Sequence, residues 1–108
     1  MAQNFRNDLQ SAVGTVAQTL VTGADYDAVI GIRCCNILTS TIEVDVYITN
    51  TATNYYLAKG VVIPPNSAIE LIQGGAKVVL KSGDVLYAKS NTASSLDTVT
   101  SFIDTISS

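Results

Sequence analysis

Two pairs of carboxylates are the residues of this chain that could carry acid–base chemistry. Glu43 and Asp45 lie two positions apart in an alternating segment, and Asp25 and Asp27 flank Tyr26. Residues two apart on a strand share a face, but paired carboxylates catalyse only when burial or a close neighbour raises one pKa. Nothing in the flanking sequence indicates such burial. The first pair is better explained as a solvated strand face, and the second as turn residues rather than a calcium site.

The other residue types with chemical potential are few. The chain contains no histidine, so it lacks the commonest general base and the commonest transition-metal ligand. Cys34 and Cys35 are adjacent, which predicts one inward and one outward small apolar residue, with an intermolecular or redox role as the alternative. Gly74 and Gly75 lack the phosphate-loop pattern and predict a hairpin turn. We therefore expect no catalytic residue, no cofactor, no metal site and no enzymatic activity.

The composition points to a single domain whose surface is partly covered. Of the 108 residues 47% are hydrophobic and 14% are charged, against about 25% charged in an ordinary soluble domain. Depletion of charge marks the buried centre of an interface, although a bland Thr/Ser/Asn surface is the alternative explanation. The six basic residues are scattered, so we expect no nucleic-acid partner and no membrane partner. No apolar run resembles a signal peptide or a membrane span, which indicates synthesis and assembly in a cytoplasm.

Period-two alternation, broken by turn signals roughly every ten residues, predicts the fold. The clearest strand covers 42–49, and further strands are expected at 15–22, 28–37, 55–59, 61–63, 68–73, 77–81, 85–89 and 96–106. The predicted fold class is all-β: a single-domain antiparallel β-sandwich, for which a jelly roll is one permitted topology. Residues 1–14 are expected to form an N-terminal arm or edge segment, with a short helix and an irregular edge strand both left open. Residues 15–108 are expected to form the sandwich.

Three further structural expectations follow from the pattern. Short loops predict that consecutive strands are antiparallel neighbours. Gly31, inside an apolar run, predicts a bulge or a close backbone approach. The inward positions of the strands define the expected core, which comprises Ile30, Ile32, Ile42, Val44, Val46, Ile48, Leu80 and Leu86.

The candidate interface residues are mostly aromatic. Tyr47, Tyr55 and Tyr56 fall on opposite sides of the expected hairpin, where cross-strand packing explains them best. An interface or sugar-contact patch is the functional alternative, because tyrosine is enriched at binding surfaces. Phe5 and Arg6 in the N-terminal segment complete the set of possible interface residues.

Strand and turn signatures extend over nearly the whole chain, in segments 29–32, 41–50, 54–57, 63–64 and 78–86, with the opening 1–5 and the later 92–97. Together they resemble a family of small virion proteins encoded by tailed phages, particularly myoviruses of marine cyanobacteria. The resemblance implies a β-sandwich component of the virus particle and carries no catalytic residue.

The leading hypothesis is a phage structural protein that decorates or cements the outside of the capsid. It would be a homo-oligomer, with a trimer as one form, and its partner would be the major capsid protein. The first alternative is a tail, neck, baseplate or fibre component that contacts tail proteins or the host surface. The second is a carbohydrate-binding module with an exposed platform built from Tyr55 and Tyr56.

Overall fold

The computed structural model describes residues 4–23, 27–72 and 78–104, with side chains for residues 6–103 of those ranges. This part of the chain forms nine strands, and none of it forms a helix that could cross a membrane. The strands are β1 (Asn4–Val13), β2 (Gln18–Thr22), β3 (Asp27–Asn36), β4 (Ile42–Asn50), β5 (Thr53–Ile63), β6 (Ala68–Glu70), β7 (Val78–Leu80), β8 (Val85–Ser90) and β9 (Leu96–Asp104).

The strands form two sheets that pack face to face. The five-stranded sheet has the order β1-β9-β3-β6, with β7 also paired to β3, and the four-stranded sheet has the order β2-β8-β4-β5. All pairings between these strands are antiparallel. The core lies between the sheets, with Val29 and Ile32 on one side and Val44 and Leu86 on the other. The predicted all-β antiparallel sandwich is confirmed.

The alternating pattern of β4 determines which of its side chains enter the core. Ile42, Val44 and Val46 are each 0% exposed, and Glu43 between them is exposed. These three predictions of core residues are confirmed, as are those for Ile32, Leu80 and Leu86, while Ile48 is only partly buried against the core.

The connections between strands differ from the expected pattern. Among the described strands, β4 and β5 are the only consecutive pair that forms a hairpin. Most other connections, such as the one from β1 to β2, cross to the opposite sheet. The sheets of a sandwich lie about 10 Å apart, a distance that three or four extended residues can span. A short loop can therefore change sheets as readily as it turns within one, and the prediction of neighbouring consecutive strands was wrong.

The β4–β5 hairpin turns through two residues in the left-handed region. Asn50 pairs with Thr53, and between them Thr51 has φ 51° and Ala52 has φ 61°. Two positive φ values in a two-residue loop define a type I′ turn, whose twist matches that of the flanking strands. Side chains with a Cβ are strained in this conformation.

Strand β5 is one long element in place of the two predicted at 55–59 and 61–63. Gly60, which separates those two segments, has φ 63°, and its N–H donates to Asp45 Oδ1 at 2.7 Å. The register of β4 and β5 shifts at this point. Glycine therefore forms a bulge that lets the strand continue, because the Asp45 carboxylate satisfies the backbone group that leaves the ladder.

A bulge in β3 explains why one residue that was predicted in the core, Ile30, lies outside it. The register with β9 shifts between Val29 and Gly31, which leaves Ile30 as the extra residue. Val29 before the bulge and Ile32 after it are both 0% exposed, while Ile30 is 36% exposed. The bulge predicted from Gly31 is confirmed. The prediction of Ile30 in the core was wrong, because the extra residue switches the face that points inward.

Strands β6 and β7 lie end to end along one edge of β3. Strand β6 pairs with residues 33–35 and β7 pairs with residues 27–29. Both run antiparallel to β3, so they point in the same direction and do not form the expected hairpin with each other. Gly74 and Gly75, which were assigned to that turn, lie outside the described residues.

The N-terminal segment forms the edge of the five-stranded sheet. Strand β1 pairs with β9 from Asn4–Asp104 to Val13–Leu96, and the register shifts between Gln10 and Val13. Of the two conformations that the sequence left open, helix and strand, the structure contains the strand. The division of the chain at residue 14 stays a prediction.

We predict a contrast between two large-to-small substitutions. Leu86→Ala should lower the free energy of unfolding by about 2–5 kcal/mol, because it leaves a cavity at a fully buried site. Ile30→Ala should cost less than about 1 kcal/mol, since the side chain is partly exposed at a bulge. Urea unfolding followed by circular dichroism measures both. Equal losses would contradict the assignment of Ile30 to the outer face.

We predict that Ala52→Gly stabilises the protein. Relief of the left-handed strain at Ala52 should outweigh the greater freedom of glycine in the unfolded chain, for a net gain of up to about 1 kcal/mol. The control is Ala17→Gly, at a position without positive φ, where the same change should destabilise. A thermal melt of each variant tests the expectation, and a lower Tm for Ala52→Gly would refute it.

Candidate functional site

Three of the four carboxylates that the sequence singled out lie among the described residues. Asp45 is half-buried and accepts the Gly60 N–H at 2.7 Å, so it holds the β5 bulge, while Glu43 is exposed. Asp27 is buried at the start of β3, and Asp25 lies outside the described residues. The described residues contain no group of three or more Cys, Asp or Glu that could hold a metal ion.

The two cysteines lie on opposite faces of β3, as predicted. Cys34 is 0% exposed in the core, Cys35 is partly buried, and both are free thiols. Burial, with a smaller contribution from the negative charge of Glu70, raises the pKa of the Cys34 thiol to about 12. A thiol with such a pKa carries almost no thiolate at neutral pH, and the thiolate is the reactive form. Cys34 is therefore an inert core residue.

A row of three tyrosines crosses the outer face of the four-stranded sheet. The ring of Tyr47 lies 5.1 Å from that of Tyr56 and 5.6 Å from that of Tyr87, centroid to centroid. Lys59 Nζ lies 4.5 Å from the Tyr56 ring centroid, a cation–π contact. Burial raises the pKa of Tyr47, with smaller contributions from the two tyrosines and Asp45. Sequence reasoning missed Tyr87, because only the register of β8 on β4 brings it beside Tyr47.

Tyr55 lies apart from this row. It is paired with Ile48, whose side chain packs against the core, and it lines a depression together with Ile48, Lys81 and Asp84. Neighbouring residues on a strand point to opposite faces, and Tyr56 contacts Tyr47 on the outer face. The two rings therefore do not form the shared platform that the carbohydrate-binding hypothesis required.

The remaining candidate residues lie on β1, in the other sheet. Arg6 is exposed and lines a depression of about 680 Å³ together with Asn7, Ile30, Ser101 and Phe102. The backbone of Phe5 pairs with Ile103, but its side chain lies outside the described residues. The structure therefore does not gather the five candidate interface residues into one patch.

Most of the exposed large apolar side chains fall into two groups. The first, which we call the β5 surface, consists of Tyr55, Tyr56, Leu57 and Val62, with exposed fractions of 59%, 41%, 41% and 55%. The second lies on the outer face of the five-stranded sheet and consists of Leu9, Ile30, Val79 and Val99, with exposed fractions of 64%, 36%, 52% and 41%. Large exposed apolar patches mark interaction sites, but Tyr55 and Tyr56 point to opposite faces of β5, so the first group is not one continuous patch.

Ile30 and Val99 of the second group line a trough whose floor is made of small residues. Gly31 and Ser101 are paired across β3 and β9. Two adjoining depressions of about 680 and 390 Å³ share Ile30 and Ser101 in their linings. We call these two depressions together the outer trough. Its rim carries an ion pair between Arg33 Nε and Glu70 Oε1 at 2.8 Å.

The fold has counterparts among solved structures. It is similar to that of a pentameric capsid protein from metagenomic phage sequences. Two crystal structures of that protein align over 94% of this chain with a TM-score of 0.53 and 19% sequence identity. The chain spans 62% and 60% of the length of those two capsid chains. No family model matches the chain, and no curated protein matches it.

The raised pKa of Cys34 predicts a loss of stability in alkali. The folded-state pKa of about 12 exceeds the ordinary value of 9.0, so the unfolded chain releases this proton first as the pH rises. The stabilisation is complete below pH 9 and falls by at most about 1.4 kcal/mol per pH unit up to pH 12. Urea unfolding at several pH values between 8 and 11 measures this slope.

Cys34→Ala serves as the comparison for that slope. The variant should be less stable at every pH, because it leaves a cavity, but its stability should fall less steeply above pH 9. A residual slope is expected above pH 10, since Tyr47 also has a raised pKa. Parallel curves for the two proteins would show that Cys34 does not cause the alkaline loss.

Proposed function

We propose that this chain is a structural protein of a bacteriophage particle, which acts as a homo-oligomer and catalyses no reaction. The observation that carries the proposal is the similarity in fold to a pentameric phage capsid protein over 94% of the chain. The virion-protein resemblance of the strand and turn segments supports the same class independently of that comparison.

The strand order supports the proposal at the level of topology. When β6 and β7 are counted as one interrupted strand, each sheet has four strands, in the orders β1-β9-β3-β6 and β2-β8-β4-β5. Consecutive strands cross between the sheets, except at the β4–β5 hairpin. We assign this arrangement to the eight-stranded jelly roll, a fold that viral capsid proteins use. Fold alone does not dictate function, so the surfaces must also suit assembly.

The surface composition suits a subunit covered by neighbours. A standard interface takes about 800 Å² from each partner, so two such contacts would cover somewhat more than a quarter of the 5702 Å² surface. Exposed apolar side chains on β5 and on the outer face of the five-stranded sheet are available for such contacts. Coverage of this extent also explains why only 14% of the residues are charged.

Within the particle, we place the protein on the outside of the head as a decoration or cement protein. The similar structures are capsid proteins, which favours the head over the tail, neck, baseplate or fibre. Its partner would be the major capsid protein, and a closed ring of copies would sit around a symmetry axis of the shell. The trimer expected from the sequence and the pentamer of the similar structures differ in the number of copies around that axis.

We predict that particles without this protein are fragile. Phage from which its gene is deleted should lose infectivity faster than the parent on heating or osmotic shock. The reason is that the contacts by which this protein holds neighbouring shell subunits together are then missing. Expression of the protein in the host should restore resistance. Equal survival with and without the protein would reject the cement role.

Cryo-electron microscopy of intact particles tests the location. Density for this fold on the outer capsid lattice is the expected result. Density confined to the tail or neck would establish the alternative location and retain the structural class. If mass spectrometry finds no copy of the chain in purified particles, the virion proposal is overturned.

A further inference from the structure

We propose that the first strand is exchanged between copies, so that residues 4–11 of one chain pair with strand β9 of the next. We call these residues the N-terminal arm. The inference rests on the proposed function and deepens it, because it identifies the segment that links the copies of the homo-oligomer. The partner that receives the arm is a second copy of this chain.

The arm contributes little to the described core. Among the described side chains of β1, those of residues 6–13, only Val13 is fully buried, and Leu9 is 64% exposed. The backbone of the strand pairs with β9 at eight positions. Each hydrogen bond of such a ladder adds little net stability, because water replaces it when the strand detaches. Detachment of the arm therefore leaves the described core between the two sheets in place.

A fixed anchor follows the arm, and a strained residue separates the two. The carbonyl oxygen of Val13 accepts the Ser95 N–H at 3.1 Å, and that of Gly14 accepts the Ser90 N–H at 2.9 Å. Immediately before this anchor, Ala12 has φ 55° and lies within the register shift of β1 on β9. A side chain with a Cβ is strained in this left-handed conformation. Rotation of Ala12 to an extended conformation relieves the strain and turns the arm away from its own β9, while the anchor stays bound.

One hydrogen bond holds this hinge closed. The Ala12 N–H donates to Asp97 Oδ1 on β9 at 2.9 Å. The bond opposes opening, whereas the left-handed strain at Ala12 favours it. Substitutions at the hinge should therefore shift the arm in either direction.

The register of β1 on β9 specifies what fills the edge that the arm leaves. Strand β9 lies between β1 and β3, so loss of the arm exposes unpaired backbone groups along one side of it. Such an edge recruits another strand. The arm of a second copy has the same sequence and can restore the same pairs, including Leu9 with Val99. The complementarity between arm and edge is thus already present in the molecule, which is why strand exchange is a low-cost route to oligomers.

Exchange of the arm also suits the ring of the proposed function. Each copy donates one arm and receives one, and the arm and the β9 edge are different surfaces. A contact between unlike surfaces generates a ring when the rotation between neighbours closes. The arm therefore links the copies, and the rotation between neighbours sets their number.

The test traps the arm by a disulfide. Leu9→Cys and Val99→Cys are introduced together, at two exposed residues that are paired across β1 and β9. Directly opposed residues of an antiparallel pair have Cα atoms about 4.5–5.5 Å apart, a separation that a disulfide can span. Both changes are made together with Cys35→Ser, so that the buried Cys34 is the one native thiol left. After mild oxidation, non-reducing electrophoresis separates single chains from linked ones.

The matched control is the pair Glu43→Cys and Val62→Cys in the same Cys35→Ser chain. These two exposed residues are paired across the β4–β5 hairpin, whose strands are joined by a two-residue turn. Their disulfide should therefore stay within one chain. Circular dichroism melts check that every variant folds, and native mass spectrometry before oxidation measures the number of copies.

We expect the Leu9/Val99 pair to link chains into covalent multimers, while the Glu43/Val62 pair yields single chains. An equimolar mixture of the single variants Leu9→Cys and Val99→Cys, unfolded and refolded together, should give a disulfide between the two different chains. The corresponding mixture of Glu43→Cys and Val62→Cys should not.

Substitutions at the hinge give a second measurement. Ala12→Gly removes the left-handed strain, so it should lower the equilibrium constant for exchange by roughly five-fold or more per arm. Ala12→Val should raise that constant, because a β-branched residue disfavours positive φ further. Native mass spectrometry at matched concentrations measures the exchanged fraction. A hinge with only a local structural role would change the Tm and leave the number of copies unchanged.

Other outcomes overturn the inference. If the Leu9/Val99 disulfide stays within single chains of an oligomeric protein, the arm remains on its own molecule and another surface forms the contact. A monomeric wild-type chain with the same intrachain disulfide also rejects exchange. None of these results bears on the presence of the chain in purified particles, so failure of this inference and failure of the proposed function are distinguishable.

Discussion

The single extra residue in β3 determines which side chains of that strand enter the core and which face outward. Strand β3 pairs with β9 along one edge and with β6 and β7 along the other, so its inward side chains lie at the centre of the core. The bulge at Ile30 lets Val29 and Ile32 both face inward, and it places Gly31 on the outer face. Core packing tolerates few voids, so this placement of the smallest residue outside the core keeps the interior filled. The same bulge creates the floor of the outer trough.

The sandwich also depends on one buried amide where β3 ends. The Asn36 side chain is 0% exposed; its amide group donates to the carbonyl oxygens of Ser40, Ile63 and Pro64 at 2.8–3.1 Å, and its Oδ1 accepts the Leu38 N–H at 2.9 Å. A buried polar side chain is costly unless it is hydrogen-bonded. Here the Asn36 amide forms hydrogen bonds with backbone groups that have left the sheet ladder, at the point where the chain passes from one sheet to the other. It thereby ties the β3–β4 loop to the end of β5.

An open sandwich has edges, and strand β5 forms one edge of the four-stranded sheet. Bulges interrupt β5 twice, which prevents indiscriminate pairing along its length while leaving apolar side chains exposed. The tyrosine row lies on the neighbouring outer face, and its central ring is only 8% exposed. The row therefore packs side chains of β5, β4 and β8 against one another on the outer face of the sheet.

The sequence by itself determined the strand class and most of the core. Alternation in β4 specified Ile42, Val44 and Val46 as core residues, because side chains on a strand alternate between faces whatever its neighbours are. Only the tertiary structure decided the strand order, since a short loop can span the gap between the sheets as easily as it forms a turn. Only the structure, too, showed that Ile30 points outward, that Tyr87 joins Tyr47 and that Tyr55 and Tyr56 point apart. Each of these depends on register and bulges, which are set by pairing between segments distant in the sequence and leave no local signal beyond a glycine such as Gly31.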